Sequence, residues 1–306
     1  MNSSPFYPIG IPGQPWDEDE RKQWRASQSV ERRYAEDVVP RIEALADRFE
    51  ILPYGQLDYA DETYPLFALR NGPRDPALPT ALVTGGVHGY ETSGIMGALE
   101  FLETRAADYA GKANLLVAAC VSPWAYERVN RWNYDALDPN RNFKANSEAI
   151  ECSALMGLIA SQTGPYLLHI DLHETTDSDE TEFRPALAAR DGNSYTPGAV
   201  PDGFYLVDDK ENPQPAFQQA IISAVENVTH IAPPDENNMI IGSPVVADGV
   251  IEYPQAKNAM CGAITDARFR TTTEVYPDSA RVTPRECNNA QVTAICAALD
   301  FALAHR

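Results

Sequence analysis

From residue 80 onward, short apolar runs alternate with stretches patterned for helices, and this alternation restricts the fold more than any other feature. ALVTGGV is an apolar run ending in glycines, TSGIMGALEFLETRAADY has a helical pattern, and ANLLVAACVSP is apolar again. A helix over 147–161, the runs YLLHIDLHE and GFYLVDD, a helix over 214–228, the run FRTTTEVYP and a last helix near 289–305 follow. Such runs suit strands buried on both faces, with the intervening helices as cover. The expectation is an α/β fold. Upstream, Trp24, Val30, Tyr34, Val38 and Ile42 recur at three-to-four spacing within 17–49. This predicts one or two amphipathic helices, interrupted near Pro40. FEILPYG and YPLFALR then predict a β-hairpin. Residues 1–16, with Pro5, Pro8, Pro12 and Pro15, read as an arm; 17–306 shows no linker and is expected to form one domain.

Charge narrows the classes of partner. The 306 residues carry 24 Lys and Arg against 44 Asp and Glu, so 24 − 44 gives a formal charge of −20. A field of that sign repels phosphate backbones and anionic lipid, so neither nucleic acid nor a membrane is expected as a partner. No apolar run is long enough to span a bilayer, and the start MNSSPFYPIGIPGQPWDEDE lacks the pattern of a secretion signal. The cysteines, Cys120, Cys152, Cys261, Cys287 and Cys296, are odd in number and scattered. Reduced thiols in a cytoplasm are the expectation.

Four polar segments fall where strands or their connections should end: GGVHGYE, DPNRNF, HIDLHE and TTTEVYP. In open α/β sheets, ligands bind outside the carboxyl ends of the strands. In YLLHIDLHE the side chains alternate, so Leu167, His169, Asp171 and His173 share one face. Three of the five histidines lie in GGVHGYE and HIDLHE. Two histidines, one carboxylate and an open position form a catalytic zinc set, and His88, Glu91 and one of His169 or His173 supply it. His88 with Glu91 alone would better suit a turn histidine and a helix-start glutamate. A zinc hydrolase further needs a carboxylate to take a water proton and a cation for the developing oxyanion. Glu274 and Arg131 are candidates. Cys261 and Cys120 do not sit in nucleophile-like segments. His230 and His305 read as surface residues, Arg268 and Arg270 as strand-surface arginines. The run Asp177–Glu182 lacks the glycine and spacing of an EF-hand calcium loop and reads as a solvated loop.

The order of these segments resembles the zinc carboxypeptidase superfamily of carboxypeptidase A type, which includes the succinylglutamate desuccinylase and aspartoacylase deacylases. The carrying residues are His88-Gly-Tyr-Glu91, Arg131 ahead of Asp138-Pro-Asn140-Arg141-Asn-Phe143, Asp171-Leu-His173 and Thr273-Glu274-Val, over about residues 80–280. The resemblance implies a three-layer αβα domain with a mixed, roughly eight-stranded sheet. It implies one zinc per chain held by His88, Glu91 and His173, with Asp138 orienting His88. It also implies that Arg131 polarises the scissile carbonyl, Asn140 and Arg141 grip a substrate carboxylate, and Glu274 is the general base. Two departures stand out: Pro139 stiffens the Asp-x-Asn turn, and Tyr253, the nearest candidate for the family's substrate-binding tyrosine, sits in a poorly matching IEYP. The implied substrate is a small peptide or an N-acyl amino acid, cleaved as by a carboxypeptidase or a deacylase. A metal-binding module without catalysis is disfavoured because every expected catalytic residue type is present.

Overall fold

In a computed structural model, residues 7–60, 62–162 and 164–306 are described. The alternation of the sequence becomes one ten-stranded sheet in the order β1-β2-β4-β3-β5-β10-β6-β9-β8-β7. Its centre is β3 (Thr80–Gly85), β4 (Asn114–Ala118), β5 (Tyr166–Glu174) and β10 (Phe269–Val275). These four run parallel to one another, so their carboxyl ends share one edge. The expected hairpin forms as β1 (Glu50–Tyr59) and β2 (Glu62–Arg70), antiparallel.

The sheet exceeds the expected eight strands because 239–253 folds as β7 (Met239–Ile240), β8 (Ser243–Ala247) and β9 (Val250–Tyr253). Those strands extend β6 (Tyr205–Asp209), which itself runs antiparallel to β10. They are short and lie at the edge, where one exposed face weakens the apolar signal.

Side-chain alternation decides what covers each face. Leu168, Ile170 and Leu172 of β5 join the larger core, with α4 (Thr92–Thr104) and α9 (Pro284–Ala304) packed on that side. Leu82 and Leu116 face the other way, into a smaller core under α6 (Ile150–Ser161). His169, Asp171 and His173 share that second face, as the period of two requires.

The N-terminal third differs from expectation in detail. It forms α1 (Glu18–Ser27), α2 (Tyr34–Asp37) and α3 (Val39–Glu43). Pro40 sits in the first turn of α3 rather than interrupting a helix, because the first turn needs no backbone N–H there. The described part of the arm is pinned: Ile9 and Trp16 are buried, and Trp16 N donates to Arg190 O at 2.8 Å. Arg190 ends α7 (Arg184–Arg190). No helix among the described residues is long and apolar enough to cross a membrane.

Candidate active site

The glycines of GGVHGYE allow the chain to leave β3 sharply. Gly86 has φ +61, and a Cβ on Gly89 would lie 2.0 Å from the Ala125 carbonyl carbon, so neither position suits a larger residue. The turn delivers His88 and then Glu91, the residue preceding α4. The Glu91 side chain does not cap that helix. Glu174, at the end of β5, caps it instead, accepting from Thr92 N at 3.0 Å and Ser93 N at 2.6 Å. Glu91 is thereby free for the histidines.

His88 Nδ1 lies 2.7 Å from Glu91 Oε1, and His173 Nδ1 lies 2.7 Å from Glu91 Oε2. The second contact has the distance but not the alignment of a hydrogen bond, leaving Glu91 Oε2 a buried oxygen without a donor. Both outer nitrogens are braced: His88 Nε2 lies 2.9 Å from Asp138 Oδ1, and His173 Nε2 lies 2.7 Å from Asp171 Oδ2. Carboxylates behind ligand histidines fix the ring and its tautomer. All of these side chains are buried. Against burial, His173 and His88 hold Glu91 down to about 2. Against the downward push of burial, Glu91 and Asp171 hold His173 well above its usual range. A divalent cation would supply the positive charge that this anionic setting otherwise draws from a proton. Two Nδ1 atoms and an orphan carboxylate oxygen converging on one point therefore fit a metal ion.

His169, Asp171 and Cys261 form a second close group, but hydrogen bonds account for it. Thr84 Oγ1 sits among them, donating to Asp171 Oδ1 at 2.6 Å, 3.0 Å from His169 Nε2 and accepting from Cys261 Sγ at 3.5 Å. Burial pushes His169 down to about 4, which keeps it neutral. Burial likewise pushes the Cys120 and Cys261 thiols up, unlike an activated nucleophile.

Parallel register sets Glu274 directly beside His173. Thr175 Oγ1 donates to Glu274 Oε2 at 2.9 Å and contacts the Tyr205 hydroxyl at 2.7 Å. Burial pushes Glu274 up to about 8; a nearby cation would bring it back down. Asp138 opens a 3-10 turn, Pro139–Arg141, and accepts from Asn140 N at 2.9 Å, with Pro139 where no N–H is needed. Asn140 Oδ1 is committed to Cys261 N at 2.8 Å, and its Nδ2 lies 3.5 Å from His173 Nε2. Exposed Arg141 donates to Asn140 O at 2.6 Å, and no acidic partner of it lies within ion-pair distance among the described residues.

One cavity of about 350 Å³ has His88, Arg131, Asp138, Asn140, Arg141, Glu274 and also Tyr205 and Tyr253 on its walls, while Glu91 and His173 lie behind it. Arg268 and Arg270 stay outside it; Arg270 pairs with Asp209 at 2.6 Å. His305 is exposed, whereas the His230 side chain is 10% exposed and paired with Asp202.

The acidic run 177–182 is only partly a solvated segment: Asp177, Thr181 and Glu182 are exposed, and the rest turns inward. Asp179 is buried, its Oδ1 3.2 Å from Arg131 Nη1. Glu180 accepts from the Tyr195 hydroxyl and Gly198 N, and Glu182 accepts from the Tyr7 hydroxyl. Sequence reading missed Asp179 because a dense acidic run is usually solvated. Its six-residue distance from His173 was the available signal.

The chain has a fold similar to that of carboxypeptidases, a large mixed sheet between helices. More narrowly, residues 77–194 match the family model described as the succinylglutamate desuccinylase/aspartoacylase catalytic domain. Three solved structures illustrate the fold. A protein from Shewanella amazonensis SB2B described as a metallopeptidase superposes with TM-score 0.64 at 18% identity, covering 90% of this chain and 98% of that one. A metallo-carboxypeptidase from Pseudomonas aeruginosa, in complex with (2-guanidinoethylmercapto)succinic acid, gives 0.55 at 13% identity over 94% and 70%. Bovine thrombin-activatable fibrinolysis inhibitor, in complex with tick carboxypeptidase inhibitor, gives 0.58 at 12% identity over 96% and 99%. No curated protein sequence matches the chain.

Proposed function

We propose that the protein is a zinc-dependent hydrolase that cleaves an amide bond next to a substrate carboxylate. The observation that carries this reading is the meeting of His88 Nδ1 and His173 Nδ1 on the two oxygens of Glu91, behind a cavity lined by His88, Glu274 and an Arg141 without an acidic partner among the described residues. Zinc held there supplies Lewis acidity and eases loss of a proton from water. The remaining roles belong to the chain. Glu274 takes the water proton and passes it to the leaving nitrogen. Arg131 donates to the carbonyl oxygen as it gains charge. Arg141 binds the substrate carboxylate, for which a guanidinium is suited geometrically.

A carboxypeptidase acting on short peptides and a deacylase acting on N-acyl amino acids share this chemistry. The match of 77–194 to the desuccinylase/aspartoacylase domain favours the deacylase as the second reading. The zinc-loaded protein, assayed against short peptides and N-acyl amino acids with free and amidated carboxylates, separates them. Amidation should cost on the order of 2–4 kcal/mol in kcat/KM, since it removes a charge-assisted contact. Arg141→Ala should cause a similar loss on the acid and little further loss on the amide. Equal cleavage of acid and amide by the wild type would refute carboxylate recognition.

A further inference from the structure

Arg131 is held on two sides. Its Nε donates to Asp138 Oδ2 at 3.1 Å. Its Nη1 donates to Asp179 Oδ1 and to the Tyr90 hydroxyl, both at 3.2 Å. Asp179 is held in turn, accepting from the Tyr90 hydroxyl at 3.1 Å and from Thr176 N at 2.8 Å. Tyr90 packs against Phe183, with ring centroids 4.6 Å apart. Asp179 opens a π-helical turn, Asp179–Phe183, a local form often found at functional sites.

A guanidinium is planar and presents its donors in a rigid fork. One carboxylate on Nε fixes a single point and leaves the plane free to pivot. A second on Nη1 fixes the plane. Arg131 lines the cavity, and its third nitrogen, Nη2, makes no hydrogen bond among the described residues. We propose that Asp179 is a positioning residue that locks the Arg131 guanidinium with Nη2 turned to the substrate carbonyl. This rests on the carbonyl-polarising role proposed for Arg131. A donor fixed before the reaction needs no reorganisation as charge develops, and Asp138, shared with His88, sets its place relative to the metal side.

The test uses Asp179→Asn, which keeps the size and removes the charge. Arginine-selective nitrogen NMR of the intact protein reads rotation about the Arg131 Nε–Cζ bond without any substrate. Separate Nη1 and Nη2 signals are expected for wild type, and exchange-averaged signals for the variant. In turnover, kcat should fall on the order of tenfold with KM nearly unchanged, the mark of lost orientation rather than lost binding. In an Arg131→Ala background the same substitution should change kcat by less than about twofold. Should Asp179→Asn fail to fold, Tyr90→Phe, which removes the hydroxyl shared by Arg131 and Asp179, carries the same comparison. Resolved Nη signals in the variant, or an equal loss of kcat with and without Arg131, would overturn the inference. A locked guanidinium released by the variant in a protein without hydrolytic activity would instead refute the proposed function and leave the positioning intact.

Discussion

His88 and His173 offer the same ring nitrogen to one glutamate while a separate aspartate braces each from behind. That symmetry makes the ligand set testable residue by residue. Elemental analysis should find about one zinc per wild-type chain and little in His173→Ala, whereas His169→Ala should keep most of it because His169 is occupied by Thr84. Full zinc retention in His173→Ala would remove it from the set. Glu274→Gln keeps the side-chain shape and cannot take a proton. Its kcat should fall at least about a hundredfold, with zinc content and circular dichroism unchanged; near-normal turnover would exclude it as the base. The clustering of the candidate residues was legible because each stands in a short, unusual string. Asp179 was not, and neither was the capping by Glu174, because each depends on a partner distant in the chain. Glu174 reaches Ser93 across 81 residues, and sequence spacing carries no trace of that.

Helix α6 packs over the site-bearing face of the sheet and carries a buried acid. Glu151 is fully buried, and neither carboxyl oxygen has a hydrogen-bond donor. Burial pushes it up from 4.5 to about 7. The folded chain therefore keeps a proton that the unfolded chain releases between those values. Its contribution to stability is complete below about 4.5 and declines as pH rises to about 7, by about 3 kcal/mol in all. Glu151→Gln should lack this decline, so denaturant unfolding at pH 5 and pH 8 should show a gap between variant and wild type that widens toward pH 8. A constant gap would mean that Glu151 does not titrate in this range. Elements were legible in the sequence where they are long or fully buried. Helix α9 begins at Pro284, five residues before the expected start, because Thr283 and Glu286 form a capping box. That signal was present in Thr-Pro-Arg-Glu but lies ahead of the apolar stretch. The strands of 239–253 gave no pattern because each has at most five residues.

Across the whole molecule, the proposed ligands come from the β3–α4 turn and from β5, so the proposed metal binding would depend on the native sheet. Ligand that binds only the folded state stabilises by mass action, about 4 kcal/mol at a thousandfold excess over Kd. For a chain of 306 residues this is a Tm rise of roughly 6 °C. Calorimetry with and without zinc should show that rise in wild type and none in His173→Ala; an equal rise in both would mean zinc binds elsewhere. The α/β class was legible because buried strands and helices differ in period. The count of ten strands was not, because edge strands follow weaker rules than the parallel centre. The register that places Glu274 beside His173 joins β5 to β10, and β6 to β9 all lie between them in the chain. A consequence concerns time. As the chain is synthesised, all three proposed metal-binding side chains emerge well before the proposed base, so the proposed ligand set would be complete before the proposed hydrolysis could begin, which would wait until the last strand has docked.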